Sequence, residues 1–221
     1  MKTLHFWVEG IADQKLLADL LRVWFDIDFH GNMKPNQTWE GKKESNNFRV
    51  FIALLGSVEG IKPKKKKNDF DQNTIQGILN IALLDADDDF QTRKAEIEAY
   101  QQEMTFEFFL LPDNQNSGDL ETLLEAIINP LNQPIFDCWN GYETCLQTQN
   151  NPHSTNGRFT TPARKTKIYA YLEALFGDTK SQKKLIKEAN RSYTLTEHWN
   201  LDSLALLPLK HFLSAFFNEN E

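Results

Sequence analysis

Cysteine is almost absent from this chain. Cys138 and Cys145 are the only two, too few for a disulfide framework, and no further Cys or His pair stands at ligand spacing to complete a zinc site. They are expected to be reduced, partly buried thiols. Histidine is sparse as well. His5, His30, His153, His198 and His211 are scattered, and without an HExxH-like cluster most of them read as structural or surface residues. No apolar run approaches the ~20 residues that span a bilayer. The opening residues, Met1 to Glu9, turn acidic too early for a signal peptide and read as a first strand. A cytoplasmic protein is the expectation. No internal repeat is visible.

Positive charge is also scarce. Lys and Arg total 24 against 31 Asp and Glu, a net charge of −7, which argues against a protein that coats nucleic acid nonspecifically. The cations that are present cluster. Lys62 to Lys67 form a basic run read as a loop, with Lys64, Lys65, Lys66 and Lys67 placed to steer a nucleic-acid backbone. Arg164, Lys165 and Lys167 make a second group, and the acids gather at Asp85 to Asp89 and at the chain end. The plainer reading of the lysine run is a solvated loop.

What is abundant is apolar material in short runs. The hydrophobic share is 40%, with 16 Phe and 5 Trp, enough for one sizeable domain or a core domain with an appendage. Residues 4–8, 48–55, 79–84 and 106–111 read as strands. Residues 79–84 are a near-continuous apolar run of the kind a parallel sheet buries on both faces, and 106–111 is halted by Pro112. Leu16, Leu17, Leu20, Leu21 and Trp24 repeat at the helical period from about Ala12, and 90–103 carries a second, weaker helical stripe. The polar stretch 30–47 reads as loop, 56–73 as an exposed segment, and 69–77 as a short helix or turn. The order β-α-β-(loop)-β-α-β predicts an α/β fold: a Rossmann-type, mostly parallel, four-stranded sheet flanked by helices. After Pro112 the pattern turns helical, with helices expected to Ile128 and near 134–147, 163–176, 181–191 and 202–217, and a frayed tail at 218–221. The division expected is an α/β domain over 1–125 and a helical C-terminal region over 126–221 packed on it.

Ligands of open α/β sheets collect beyond the carboxyl ends of the strands. Glu9 ends the first strand, Asp85 and Asp87 end the third, and Asp13 falls in the first helical turn near the same edge. Carboxylates packed this closely repel one another and raise some of their pKa values. Bound cations remove that cost, and Mg²⁺ prefers oxygen ligands of this kind. Taken singly, an acid-Gly turn or an acidic cap is ordinary; together at matching strand ends they predict a metal site.

The stretch Phe6-Trp-Val-Glu-Gly-Ile-Ala-Asp13, followed by Ala82-Leu-Leu-Asp-Ala-Asp-Asp-Asp89, resembles the Toprim domain shared by topoisomerases, primases and overcoming-lysogenization-defect (OLD) nucleases. The Glu-x-x-x-Asp spacing makes it most similar to the OLD-type branch. Phe109 to Leu124 also resembles stand-alone Toprim-like bacterial proteins with no established function. The resemblance covers residues 1–125 well and the helical half loosely. It implies Mg²⁺, with Mn²⁺ as substitute, held by Glu9, Asp13, Asp85, Asp87 and a later acidic pair, for which Asp119 and Glu121 are the counterparts. Helix capping is the plainer role for that pair. It further implies a catalytic lysine, Lys165 or Lys167, beside the catalytic acids Glu9 and Asp85. The activity implied is phosphodiester hydrolysis of DNA or RNA in an OLD-like defence or repair context, with paired ions ~3.5–4 Å apart. The residues show neither a fused ATPase domain nor a topoisomerase tyrosine motif. Two alternatives stay open: a non-catalytic or conditionally active partner of a separate ATPase, and a hydrolase of small nucleotides.

Overall fold

The computed structural model describes residues 2–29, 34–43 and 48–217. His30, the rest of 30–33, residues 44–47 within the expected loop, and the tail 218–221 lie outside the described residues. The element order is β1 (Lys2–Val8), α1 (Ile11–Phe25), β2 (Ile27–Asp28), β3 (Trp39–Lys43), β4 (Phe48–Leu54), α2 (Pro63–Ile75), β5 (Leu79–Asp85), α3 (Phe90–Gln101), β6 (Glu107–Leu111), α4 (Leu120–Ala126), α5 (Gln133–Thr148), α6 (Arg164–Phe176), α7 (Lys180–Leu185) and α8 (Leu207–Phe217), with three short 3-10 turns between them. The protein is α/β, a mostly parallel mixed sheet flanked by helices.

Among the described residues, six strands make the sheet, in the order β2-β3-β4-β1-β5-β6. The four expected strands form its parallel part: β1 pairs with β4 on one side and β5 on the other, and β5 pairs with β6. The expected count of four is corrected to six, because two antiparallel strands went unread: β3, within the polar stretch, pairs with β4, and the two-residue β2 just before that stretch pairs with β3. In β3 only Trp39 and Gly41 face inward, and Gly41 packs against Phe29 and Ile27 so closely that a Cβ would lie 2.7 Å from the Phe29 ring. A strand whose core contact is one Trp and one Gly has no readable alternation.

The pleat sorts side chains to two faces. Leu4, Phe6 and Val8 of β1, Ile81 and Leu83 of β5, and Phe109 and Leu111 of β6 face a large core shared with α1, α4, α6 and α8. Trp7, Ala82, Leu84 and Leu110 face the other way, onto Phe70 of α2 and Ile97 of α3. The first core runs without a break from strand residues into the C-terminal helices, through Phe136, Ile168, Tyr171, Trp199 and Leu213. On the second face, buried Asn80 accepts hydrogen bonds from Trp7 Nε1 (3.1 Å) and Asn73 Nδ2 (2.7 Å).

One more link ties the halves together, and an arginine beside it braces the C-terminal side. Asp19 of α1, fully buried, accepts from Lys15 Nζ at 2.8 Å and from the backbone N–H of Tyr193 at 2.8 Å. Arg191, also buried, donates to the Ile186 carbonyl and the Tyr193 hydroxyl. By contrast α5 buries only Phe136 of its 16 residues. Cys138 and Cys145 lie on that helix and are exposed, not partly buried as expected. Among the described residues, no helix is long and apolar enough to cross a membrane.

Candidate functional site

The chain leaves β1 for β4 on one side, then jumps across β1 to β5, so the carboxyl ends of β1 and β5 flank the switch point of the sheet. Helix α1 runs back over one face from there and α3 over the other, and the crevice between them is where open α/β sheets hold ligands. A cleft of about 700 Å³ opens at this point.

Its walls come from both halves of the molecule. Glu9 and Asp13 line it from the β1–α1 turn, Asp85 and Asp87 from the end of β5, Asp119 and Glu121 from the start of α4. The six carboxylates anticipated from the sequence therefore share one pocket, and Asp88 and Glu188 join them. Arg164 and Lys165, at the start of α6, form a cationic wall.

Four of the six acids are oriented by backbone N–H groups. Asp13 Oδ2 accepts from the Gly10 N–H at 2.9 Å, fixing the first turn of α1. Glu9 Oε1 accepts from the Asp85 N–H at 3.0 Å, and Asp85 Oδ1 from the Leu120 N–H at 2.9 Å. Asp119 caps α4, accepting from the N–H and hydroxyl of Thr122, so the capping role is present together with the pocket position. Asp87 has a left-handed backbone (φ 54°), and its carbonyl accepts from the Gly118 N–H at 2.8 Å. That bond brings the loop before α4 onto the Asp-x-Asp turn.

The crowding has an electrostatic cost. Burial, then repulsion from Asp13, Glu9 and Asp119, pushes the Asp85 carboxyl up to about 9. Burial and the Glu9 charge push Asp13 up to about 7. Glu121 is raised too, chiefly by burial and then by Asp119. On the cationic wall, Arg164 Nη1 donates to Asp119 Oδ1 at 3.2 Å and Thr122 Oγ1 at 2.6 Å, while Lys165 Nζ pairs with Glu188 Oε1 at 2.5 Å.

Lys167, the alternative to Lys165, does not line the pocket. Its ammonium is buried against Glu125 Oε2 (2.7 Å) and Asn140 Oδ1 (3.1 Å) and lies 4.9 Å over the Phe136 ring. Two residues along α6 turn a side chain by some 200°, which puts Lys165 on the pocket side and Lys167 in the helical core. Lys64, Lys65, Lys66 and Lys67 are corrected from a loop to helix α2, which Pro63 opens and Phe70 anchors. None of the four lines the pocket. Lys66 pairs with Asp69 and covers the Trp7 ring, and Lys67 reaches Asp71 and the Glu103 carbonyl.

Arg164, Glu188 and Arg93 are the site residues that sequence patterning left unassigned. Arg93, on α3, donates from Nη2 to Asp87 Oδ2 at 2.8 Å and from Nε to the Asp85 carbonyl at 3.1 Å. An Arg three residues before a Glu on a helix reads as a surface pair, and only the fold reveals its other two contacts.

As donors, the pocket offers carboxylate oxygen almost exclusively, the ligand type suited to Mg²⁺, Mn²⁺ or Ca²⁺ and unsuited to soft metals. Among the described residues, no three His, Cys, Asp or Glu groups are drawn together as a finished ligand set. Glu9, Asp13, Asp85 and Asp119 are each anchored through one oxygen to backbone N–H groups. The chemistry of the donors thus fits a divalent cation, with the oxygens still held by the chain.

Fold and pocket together define an open-sheet α/β protein with an acidic crevice at its switch point. The chain belongs to the family described as Protein of unknown function (DUF3226), whose model matches residues 4–218. It is similar in fold to the crystal structure of hypothetical protein PH0156 from Pyrococcus horikoshii OT3, with a TM-score of 0.53 and 14% identity over 84% of this chain and 86% of that one. No curated protein matches the sequence.

Proposed function

We propose that the protein is a Mg²⁺-dependent phosphodiester hydrolase acting on DNA or RNA, with a Toprim-like acidic site. The observation that carries this reading is the meeting of Glu9, Asp13, Asp85, Asp87, Asp119 and Glu121 in one pocket at the β1 and β5 ends. These six residues would hold the ions. The chemistry supplied by bound Mg²⁺, with Mn²⁺ as substitute, is activation of water and stabilisation of charge on phosphoryl oxygens. Burial first, and repulsion among the acids second, raise the Asp13 and Asp85 carboxyls; a bound cation offsets both, which favours uptake of positive charge over an empty pocket. Arg164 and Lys165 stand across from the acids. They would take the phosphate of a substrate by exchanging Asp119 and Glu188 for it, and would offset charge that builds in the transition state.

The test is cleavage of single- and double-stranded DNA and RNA in Mg²⁺ or Mn²⁺ by the wild type and by an Asp85→Ala, Asp87→Ala double variant. The double variant should be inactive. Equal rates for the two proteins would sink the assignment, and activity on nucleotides but not on polymers would redirect it to a small-phosphate hydrolase. A second reading, a conditionally active partner of a separate ATPase, is favoured by the anchoring of the acids to backbone rather than to one another. Activity that appears only when the ATPase is added would select it.

A further inference from the structure

We propose that Arg93, steadied by Glu96 and Tyr100, is a positioning residue that sets the geometry of the Asp85–Asp87 turn for cation binding. The inference rests on the metal reading above. Arg93 is 8% exposed, and its guanidinium makes three directed contacts. Nε donates to the Asp85 carbonyl at 3.1 Å, Nη2 to Asp87 Oδ2 at 2.8 Å, and Nη1 to Glu96 Oε2 at 2.8 Å. Glu96 is held in turn by the Tyr100 hydroxyl, which donates to Oε1 at 2.6 Å. Residues 93, 96 and 100 fall on one face of α3, so the helix presents a rigid chain of hydrogen bonds to the turn.

The turn needs such support. Asp87 adopts a left-handed backbone, and its side chain is 61% exposed, so a carboxylate without a partner there would sample several rotamers. The two-pronged guanidinium holds the carbonyl before the turn and the carboxylate within it at once, which a point-charge ammonium cannot do. Residues that orient a metal-binding carboxylate in this way typically change affinity about 10–100-fold when removed. The opposite effect is also physically possible: a cation beside Asp87 competes with a metal for it. Two firm contacts to one turn, with Glu96 absorbing part of the positive charge, favour orientation over competition.

Mn²⁺ titration by calorimetry decides, with Tm measured in parallel, on the full chain carrying R93Q, R93K, E96Q, D87N or D87N together with R93Q. R93Q should weaken Mn²⁺ binding about 10-fold or more, with R93K nearly as weak and E96Q less affected. The D87N/R93Q double variant should lose less than the two single losses combined, because both changes disturb one arrangement. A purely structural Arg93 would lower Tm and leave affinity unchanged. R93Q binding Mn²⁺ as tightly as wild type, or more tightly, overturns the proposal, as do losses that add in the double variant. If R93Q does not fold, R93K and E96Q are judged by the same criterion. Wild type that takes up no Mn²⁺ overturns the metal reading and this inference with it, which separates the two failures.

Discussion

Glu9 Oε1 accepts the backbone N–H of Asp85 at 3.0 Å, so the acid that ends one strand is fastened to the first acid of its neighbour. The parallel ladder of β1 and β5 sets the spacing of the two strand ends, and this bond fixes the Glu9 carboxylate across them. Burial and then the Asp13 charge raise the Asp85 carboxyl, and the Glu9 charge adds to them.

The first prediction concerns pH in metal-free buffer. The folded Asp85 carboxyl keeps its proton to about pH 9, against an ordinary value of 3.8, so the folded state binds the proton more tightly than the unfolded chain. Stability is then full below about pH 4 and declines as pH rises toward 9. Asp85→Asn retains an oxygen for the Leu120 N–H and cannot ionise, so the unfolded chain no longer gains stability by losing this proton as pH rises. Its Tm at pH 8 should exceed wild type by at least about 3 °C, with a flatter pH profile by circular dichroism. Parallel profiles for the two proteins would contradict this.

The two lysines of α6 should separate cleanly. Lys165→Ala removes an exposed cation and should change stability by no more than about 1 kcal/mol, while lowering hydrolysis. Lys167→Ala removes a buried ammonium from Glu125, Asn140 and the Phe136 ring and should cost about 2–3 kcal/mol. Urea melts and rate measurements on both variants provide the check. A stability loss from Lys165→Ala as large as that from Lys167→Ala would refute the assignment.

Asp19 is predicted to hold the two halves of the chain together. Asp19→Ala leaves Lys15 buried without its partner and removes the acceptor of the Tyr193 N–H. The expected loss is about 3–5 kcal/mol, seen in urea as an earlier midpoint. Asp19→Asn keeps the acceptor and should lose less.

Gly118→Ala should damage the site through the backbone. Gly118 has φ 147°, and a Cβ there would lie 2.9 Å from Pro112 Cδ and 3.0 Å from Thr122 Oγ1. Relief of that clash shifts the N–H that Asp87 accepts. The cost is about 1–3 kcal/mol of stability with weaker Mn²⁺ uptake. Unchanged uptake would show that the Asp87 turn stands without Gly118.

The parallel strands were legible because each is a short apolar run stopped by Gly, Asp or Pro. Helix α1 announced itself through Leu16, Leu17, Leu20 and Leu21. Glu9, Asp13, Asp85 and Asp87 were legible because strand ends are where such sheets collect ligands, whereas Asp119 and Glu121 came only through the resemblance. What stayed hidden depends on contacts distant in sequence. Strand β3 is recruited by its pairing to β4, not by its own pattern. Helix α2 is nearly all polar, and Phe70 alone marks its inner face. Arg93 and Lys167 carry charge, which reads as surface until the fold supplies buried partners.

The way α5 is moored has a consequence for how the molecule breathes. A helix of 16 residues that sinks one phenyl ring into the core has little holding it down beyond its own backbone bonds. Its amides should exchange with deuterium far sooner than those of β1, in an opening that leaves the sheet closed. When it lifts, Lys167 loses Asn140 and the Phe136 ring in the same event, so a charge that is buried in the closed molecule meets water each time the helix opens.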